Sequence, residues 1–222
     1  RLIASADRLE SSIEVDELTK KYDNIYGTIG FHPNELENFN DETFKQLEKL
    51  LENKKIVGIG EIGLDYHYGD EDKEQQKEAF IKQIEIANEL NLPISIHTRD
   101  AIDDMIAIIR KYKIQRSGVL HCCPFNRELV KHGLDNGLYI GFGGTSTFKS
   151  SKNAKEILNM VPENRILIET DSPYLSPEPK RGNRNDSSNL KYVVRKLAEY
   201  KGLNPEEIAK ITYENAKRLF RV

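Results

Sequence analysis

Apolar residues along the chain gather into seven short, β-branched runs, at 2–6, 24–30, 56–60, 94–97, 118–121, 138–142 and 165–169. Runs of this length, bounded by Gly, Pro or Asn, read as buried strands. The intervening stretches carry helical spacing instead. Residues 11–22 place Ile13, Val15, Leu18 and Tyr22 at helical intervals. Residues 41–52 do the same with Phe44, Leu47, Leu50 and Leu51, behind Asn40 as a capping residue. The 74–89 stretch turns Phe80, Ile84 and Ala87 to one side. Further helices are expected at 101–112, 127–136 (stopped by Gly137) and 151–160, and two more close the chain. The last starts at Asn204, with Pro205 in the first helical position and Glu207 at the third. Polar loops are expected at 68–72 and 173–187.

Strand followed by helix, repeated, predicts parallel strands joined by helical crossovers. Seven strands are one short of a closed (β/α)8 set. The expected fold class is α/β, a TIM (β/α)8 barrel with its first β/α unit missing. That unit is expected before Arg1, because the chain opens inside an apolar run. An open doubly wound sheet is the structural alternative. No linker or low-complexity tract interrupts residues 1–222, which read as one domain.

Composition narrows the function classes. Hydrophobic residues make up 38% and charged residues 31% of the chain, which is globular rather than disordered. No apolar run reaches the ~20 residues that span a bilayer, so no membrane partner is expected. A net charge of -3 excludes a bulk basic footprint, and nucleic-acid binding would rest on a local patch or on metal ions. The two cysteines, Cys122 and Cys123, are neighbours, a poor disulfide spacing. A reduced, cytoplasmic protein is the expectation.

The candidate chemistry lies at strand ends. Glu61, His97, His121 and Asp171 each close an expected strand, and in a barrel all such ends meet at one mouth. Taken singly, a strand-end histidine is most often structural, and an Asp before Ser-Pro most often a turn residue. Four together read better as metal ligands, since carboxylate and imidazole suit zinc, manganese or a related ion. His32, ahead of Pro33, reads either as a contact to substrate or as a buried loop residue. His67 and His132 read as surface residues. Cys122 and Cys123 lack a CxxC spacing and read as small buried hydrophobes. Gly143 and Gly144 are taken as close backbone packing, since no P-loop lysine accompanies them. The cluster at 180–185, with Lys180, Arg181 and Arg184, reads either as a solvated loop or as a phosphate contact.

Several segments, in order along the chain, resemble the TatD family of metal-dependent hydrolases. They include Gly30-Phe31-His32-Pro33, Gly58-Ile59-Gly60-Glu61-Ile62-Gly63-Leu64-Asp65-Tyr66, Ile96-His97-Thr98-Arg99 and Leu120-His121-Cys122. Phe142-Gly143-Gly144, Glu169-Thr170-Asp171-Ser172-Pro173 and Arg181-Gly182-Asn183-Arg184-Asn185 complete the set. The resemblance implies a TIM barrel with two divalent ions (Zn, Mn or Mg) and phosphodiester hydrolysis, typically as a DNA exonuclease. It implies Glu61 as a bridging ligand, His97 and His121 as ligands of one ion, and Asp171 as ligand of the other and acceptor of the water's proton. His32, Arg99, Arg181 and Arg184 are then substrate-facing. Two departures stand out. The family's His-x-His pair occurs nowhere in this sequence, and Cys122-Cys123-Pro124-Phe125 replaces a Cys-Phe-Ser-Gly-like run.

The functional expectation is a metal-dependent deoxyribonuclease acting on DNA or another phosphodiester through an activated water. Hydrolysis of a small ester, lactone or amide on the same barrel is the first alternative. A truncated or degenerate non-catalytic barrel is the second, motivated by the absent His-x-His pair.

Overall fold

The computed structural model describes residues 1–69 and 72–222. Asp70 and Glu71, part of the loop expected at 68–72, lie outside the described residues. The chain divides into two compact units, 1–118 with 220–222, and 119–219.

The first unit alternates β1 (Leu2–Ser5), α1 (Leu9–Lys21), β2 (Ile25–Ile29), α2 (Asp41–Leu50), β3 (Ile56–Asp65), α3 (Lys73–Glu89), β4 (Ile94–Arg99) and α4 (Ile102–Lys111). Its four strands adjoin in sequence order and are all parallel. The β-branched runs are buried as their pattern requires. Ile59, Ile62, Leu64, Ile94 and Ile96 are fully enclosed, each worth roughly 1.5–3 kcal/mol of transfer free energy. Asn40 caps α2 as expected, its side chain accepting the amides of Glu42 and Thr43 at 3.0 and 3.1 Å.

Two strand ends expected for this unit are corrected. Strand β3 runs ten residues to Asp65 rather than stopping at Gly60, so Glu61 sits inside it. The pairing with β4 breaks register between Ile59 and Ile62, and the Glu61 amide turns to the Ala6 carbonyl at 2.8 Å. A strand can thus carry an inward acid without ending, because the irregularity resets which face the side chain takes. Likewise β4 continues past His97 to Arg99.

Helix α1 is also rotated from the expected orientation. Its buried face is Ser12, Val15, Asp16 and Thr19, while Ile13, Leu18 and Tyr22 are 41%, 38% and 42% exposed. Polar bonds account for this. The Asn53 amide donates to Asp16 Oδ1 at 2.7 Å and to Thr19 Oγ1 at 2.9 Å, Lys20 pairs with Asp16, and Lys55 donates to the Thr19 and Tyr22 carbonyls. Buried polar groups satisfied this fully can outweigh an apolar face of three residues.

The second unit takes up β5 (Gly118–Leu120) from Val119 onward, then α5 (Arg127–Asp135), β6 (Tyr139–Phe142), α6 (Ala154–Met160), β7 (Ile166–Ile168), α7 (Leu190–Lys201) and α8 (Pro205–Phe220). Strands β5, β6 and β7 are parallel, with Leu120 opposite Ile140 and Ile140 opposite Ile166. Gly137, at φ +76°, follows α5 where its stop was expected. The reciprocal cap of α8 is present: the Asn204 amide donates to Glu207 Oε2 and the Glu207 amide to Asn204 Oδ1, both at 2.9 Å. Gly143 and Gly144 enter a single 3-10 turn over Gly144–Thr147. The Ser146 and Thr147 hydroxyls bond back to the Gly143 and Gly144 carbonyls there. No helix among the described residues is long and apolar enough to cross a membrane.

Candidate metal centre

In the first unit, parallel pairing of β3 and β4 puts Gly63 beside His97. A Cβ at Gly63 would lie 2.0 Å from the His97 carbonyl oxygen, and its φ is +147°. Only glycine permits that approach. The side chains of Glu61, Asp65 and His97 then converge. His97 Nδ1 lies 2.8 Å from Glu61 Oε1, and His97 Nε2 lies 3.0 Å from Asp65 Oδ2.

Asp65 is 2% exposed. Burial alone would raise its pKa. Hydrogen bonds from His97, the His67 amide and Asn34, with the charge on His97, outweigh that and hold it at about 2. Asn34 Nδ2 and the His67 amide each donate from 3.0 Å. Asp65 is therefore ionised at neutral pH and accepts from every side.

His32 stands next to this group, its ring 4.4 Å from that of His97 and its Nε2 3.8 Å from Glu61 Oε1. Burial, then repulsion from His97, push its pKa down to about 4, against the pull of Glu61, Asp65 and Asp7. The Asn34 amide donates to His32 Nδ1 at 3.1 Å. A neutral imidazole has one proton, so His32 carries it on Nε2 and offers a donor towards Glu61. His32, Asp65 and His97 place ligand-type atoms within 4.8 Å of one another. With its proton on Nε2, His32 presents a donor to Glu61 beside that trio. Arg99, expected to face substrate, is exposed and lies over the Tyr68 ring, 5.6 Å from its centroid. His67, read as a surface residue, is 45% exposed and pairs with Asp100 at 3.0 Å.

The second unit repeats the arrangement. His121 directly follows β5. Its Nδ1 is 2.6 Å from Glu169 Oε2 and its Nε2 is 3.3 Å from Asp171 Oδ1. Asp171 lies three residues past the end of β7, at φ +55°, in a loop tied down by Asn185. The Asn185 amide donates to the Thr170 and Tyr174 carbonyls at 2.5 and 2.8 Å. Of the basic loop, Arg181 stacks 3.9 Å over the Phe148 ring, and Arg184 is exposed. Of the two cysteines expected to be buried, Cys123 is, and burial pushes its thiol up to about 12, whereas Cys122 is only half-buried.

Each histidine thus faces two carboxylates, one at either ring nitrogen. A neutral imidazole has a single proton for the two, so in its uncharged form one contact sets a lone pair against a carboxylate oxygen. That arrangement repels unless a positive charge is shared between them. The donor types fit a divalent cation, which Asp65 and His97 with Glu61 beside them would hold in the first unit, and His121 with Asp171 would be the matching donors in the second.

Asp65 and Glu169 were not singled out by sequence reasoning. A signal was available for both: they lie inside the segments that carry the family resemblance, four residues after Glu61 and two before Asp171.

Comparison with known proteins agrees with this chemistry. Residues 1–221 match the family described as TatD related DNase. The chain is 44% identical over 207 residues to the metal-dependent hydrolase YabD of Bacillus subtilis, spanning 93% of this chain and 81% of that protein. It is 32% identical over 227 residues to the 3'-5' ssDNA/RNA exonuclease TatD of Citrobacter koseri, spanning 100% of this chain and 87% of that one. Among solved structures, the TatD homologue YJJV of Escherichia coli superposes with a TM-score of 0.93 at 28% identity, covering 100% of this chain and 86% of that one. Among the described residues, the parallel strand–helix alternation follows the TIM-barrel plan expected from the sequence. The chain belongs to the TatD family of metal-dependent hydrolases.

Proposed function

We propose that this protein is a nuclease that hydrolyses phosphodiester bonds in single-stranded DNA or RNA, with Glu61, His97, His121 and Asp171 as ligands of divalent ions. The observation that carries the reading is the paired placement of an imidazole between two carboxylates, found once in each unit. The name of the Citrobacter koseri relative supports the choice of substrate. A bound divalent cation supplies Lewis acidity, neutralising charge on a phosphoryl oxygen and lowering the pKa of water.

The chain's own residues do the rest. Asp171, 28% exposed, has a carboxylate edge open to take the proton that an attacking water gives up. His32 donates from Nε2 and suits a non-bridging phosphate oxygen. Arg99, Arg181 and Arg184 are exposed guanidinium groups suited to backbone phosphates, which carry no base identity. Little sequence preference is expected.

The test is release of nucleotides from end-labelled single-stranded DNA and RNA with Mg²⁺ or Mn²⁺, run beside a panel of carboxylesters, lactones and amides. Metal-dependent release that falls at least ~100-fold in Asp171→Asn supports the reading. Dominant ester or amide hydrolysis without nucleotide release would overturn it.

A further inference from the structure

We propose that Glu169 is a positioning residue that fixes the proton of His121 on Nδ1, so that the Nε2 lone pair points at Asp171. The inference rests on the reading of His121 as a metal ligand only in its last step, the effect on metal affinity.

Glu169 comes just after β7, where its amide donates to the Phe142 carbonyl at 3.2 Å. Its carboxylate reaches across β6. A Cβ at Gly141 would lie 2.8 Å from Glu169 Oε2, so the glycine provides the space the acid occupies. The side chain is only 18% exposed, and both of its oxygens are engaged. Oε1 accepts the backbone amide of Cys122 at 2.6 Å, and Oε2 lies 2.6 Å from His121 Nδ1.

Those two partners are not equivalent. The Cys122 amide is a donor that cannot change role. Its residue is held at φ +41°, so the N–H direction is set by a constrained backbone. His121 Nδ1 is a donor or an acceptor according to tautomer. A carboxylate only accepts, so Glu169 satisfies both groups when Nδ1 carries the proton. Nε2 is then unprotonated, 3.3 Å from Asp171 Oδ1. An imidazole offers a cation that lone pair and nothing else, and a carboxylate behind the far nitrogen both orients the ring and strengthens the ligand.

One conservative change has an asymmetric consequence. In Glu169→Gln the amide has one acceptor and one donor end. The fixed Cys122 N–H claims the oxygen, which leaves the NH2 facing His121 Nδ1. The ring must then accept at Nδ1 and carry its proton on Nε2, aimed at Asp171.

The experiment is nitrogen-15 imidazole NMR of the full chain, metal-free at alkaline pH and again after titration with Zn²⁺, together with calorimetric Zn²⁺ affinity. In the wild type His121 is expected to carry its proton on Nδ1, both metal-free and with zinc bound. In Glu169→Gln the proton is expected on Nε2, with zinc affinity lower by ~10–100-fold. A wild-type His121 protonated on Nε2 overturns the proposal whether or not the variant folds. A folded variant that keeps the Nδ1 proton, or keeps wild-type zinc affinity, overturns it too. None of these readouts uses a nucleic acid, so a failed nuclease assay leaves the inference standing.

Discussion

His97 Nε2 lies 3.0 Å from a carboxylate oxygen of Asp65, while its other ring nitrogen, Nδ1, makes the 2.8 Å contact with Glu61. Asp65 is the more enclosed of the two acids, at 2% against 19% exposure. It also anchors Asn34 and the His67 amide. In Asp65→Asn the amide nitrogen faces either the His67 backbone amide, at the Oδ1 position, or the Asn34 side-chain amide, at the Oδ2 position, with the wrong polarity. Loss of about 1–3 kcal/mol is expected from such a mismatch in a buried network. Denaturant unfolding of the metal-free protein measures it, and Mn²⁺ calorimetry is expected to show weaker binding. A variant as stable as the wild type would contradict the role given to Asp65.

Neutral His32 makes the metal-free fold acid-sensitive. Its pKa is about 4 in the folded protein, where burial and His97 oppose its charging. In the unfolded chain it titrates near ~6.5. Between those values the unfolded state binds a proton that the folded state refuses. The contribution is fully present above ~6.5 and is lost as pH falls through the folded value, at most about 3 kcal/mol. Urea midpoints at pH ~7 and ~4.5 are expected to fall further apart in the wild type than in His32→Asn. An equal fall in both would contradict it.

Asn185→Ala is expected to loosen the loop that carries Asp171. The substitution removes two donors to the Thr170 and Tyr174 carbonyls. It also removes an acceptor for the Asn189 amide, leaving buried groups unpaired. A cost of about 2–3 kcal/mol is expected. Hydrogen exchange at 170–175 is the direct readout. It should accelerate there while amides of β6 stay protected.

The two adjacent cysteines are expected to differ in reactivity. Cys123 is 2% exposed and its thiol is raised to about 12 by burial. Reactivity follows thiolate and access. Iodoacetamide on the native protein should leave Cys123 unmodified by peptide mass spectrometry, and modify it after unfolding. Native labelling of Cys123 would contradict this.

The strand–helix alternation and the caps of α2 and α8 were legible in the chain because they rest on local chemistry, as at Asn40 and Asn204. The facing of α1 was not. Its orientation depends on Asn53 and Lys55, more than thirty residues away, bonding to Asp16 and Thr19. An apolar-periodicity rule sees Ile13 and Leu18 and misses that polar network. The length of β3 was misread for a related reason, since an acid and three glycines in one stretch read as a strand end. The residues chosen as ligands, Glu61 with His97 and His121 with Asp171, do meet in pairs. Asp65 and Glu169 lay within the segments that carry the resemblance, yet escaped because a carboxylate's place in sequence does not say which nitrogen of a distant ring it will touch.

The contact at Gly63 bears on how this protein can change over time. Beside His97, β3 and β4 touch backbone to backbone, with no side chain between them. The reach from Glu61 to the imidazole is therefore governed by main-chain geometry that all core sequences share. Leu64, Ile94 and their neighbours can drift in size among hydrophobic residues while that span stays put. Position 63 has no such latitude: any side chain there pushes the acid and the ring apart, however well the remaining core is packed.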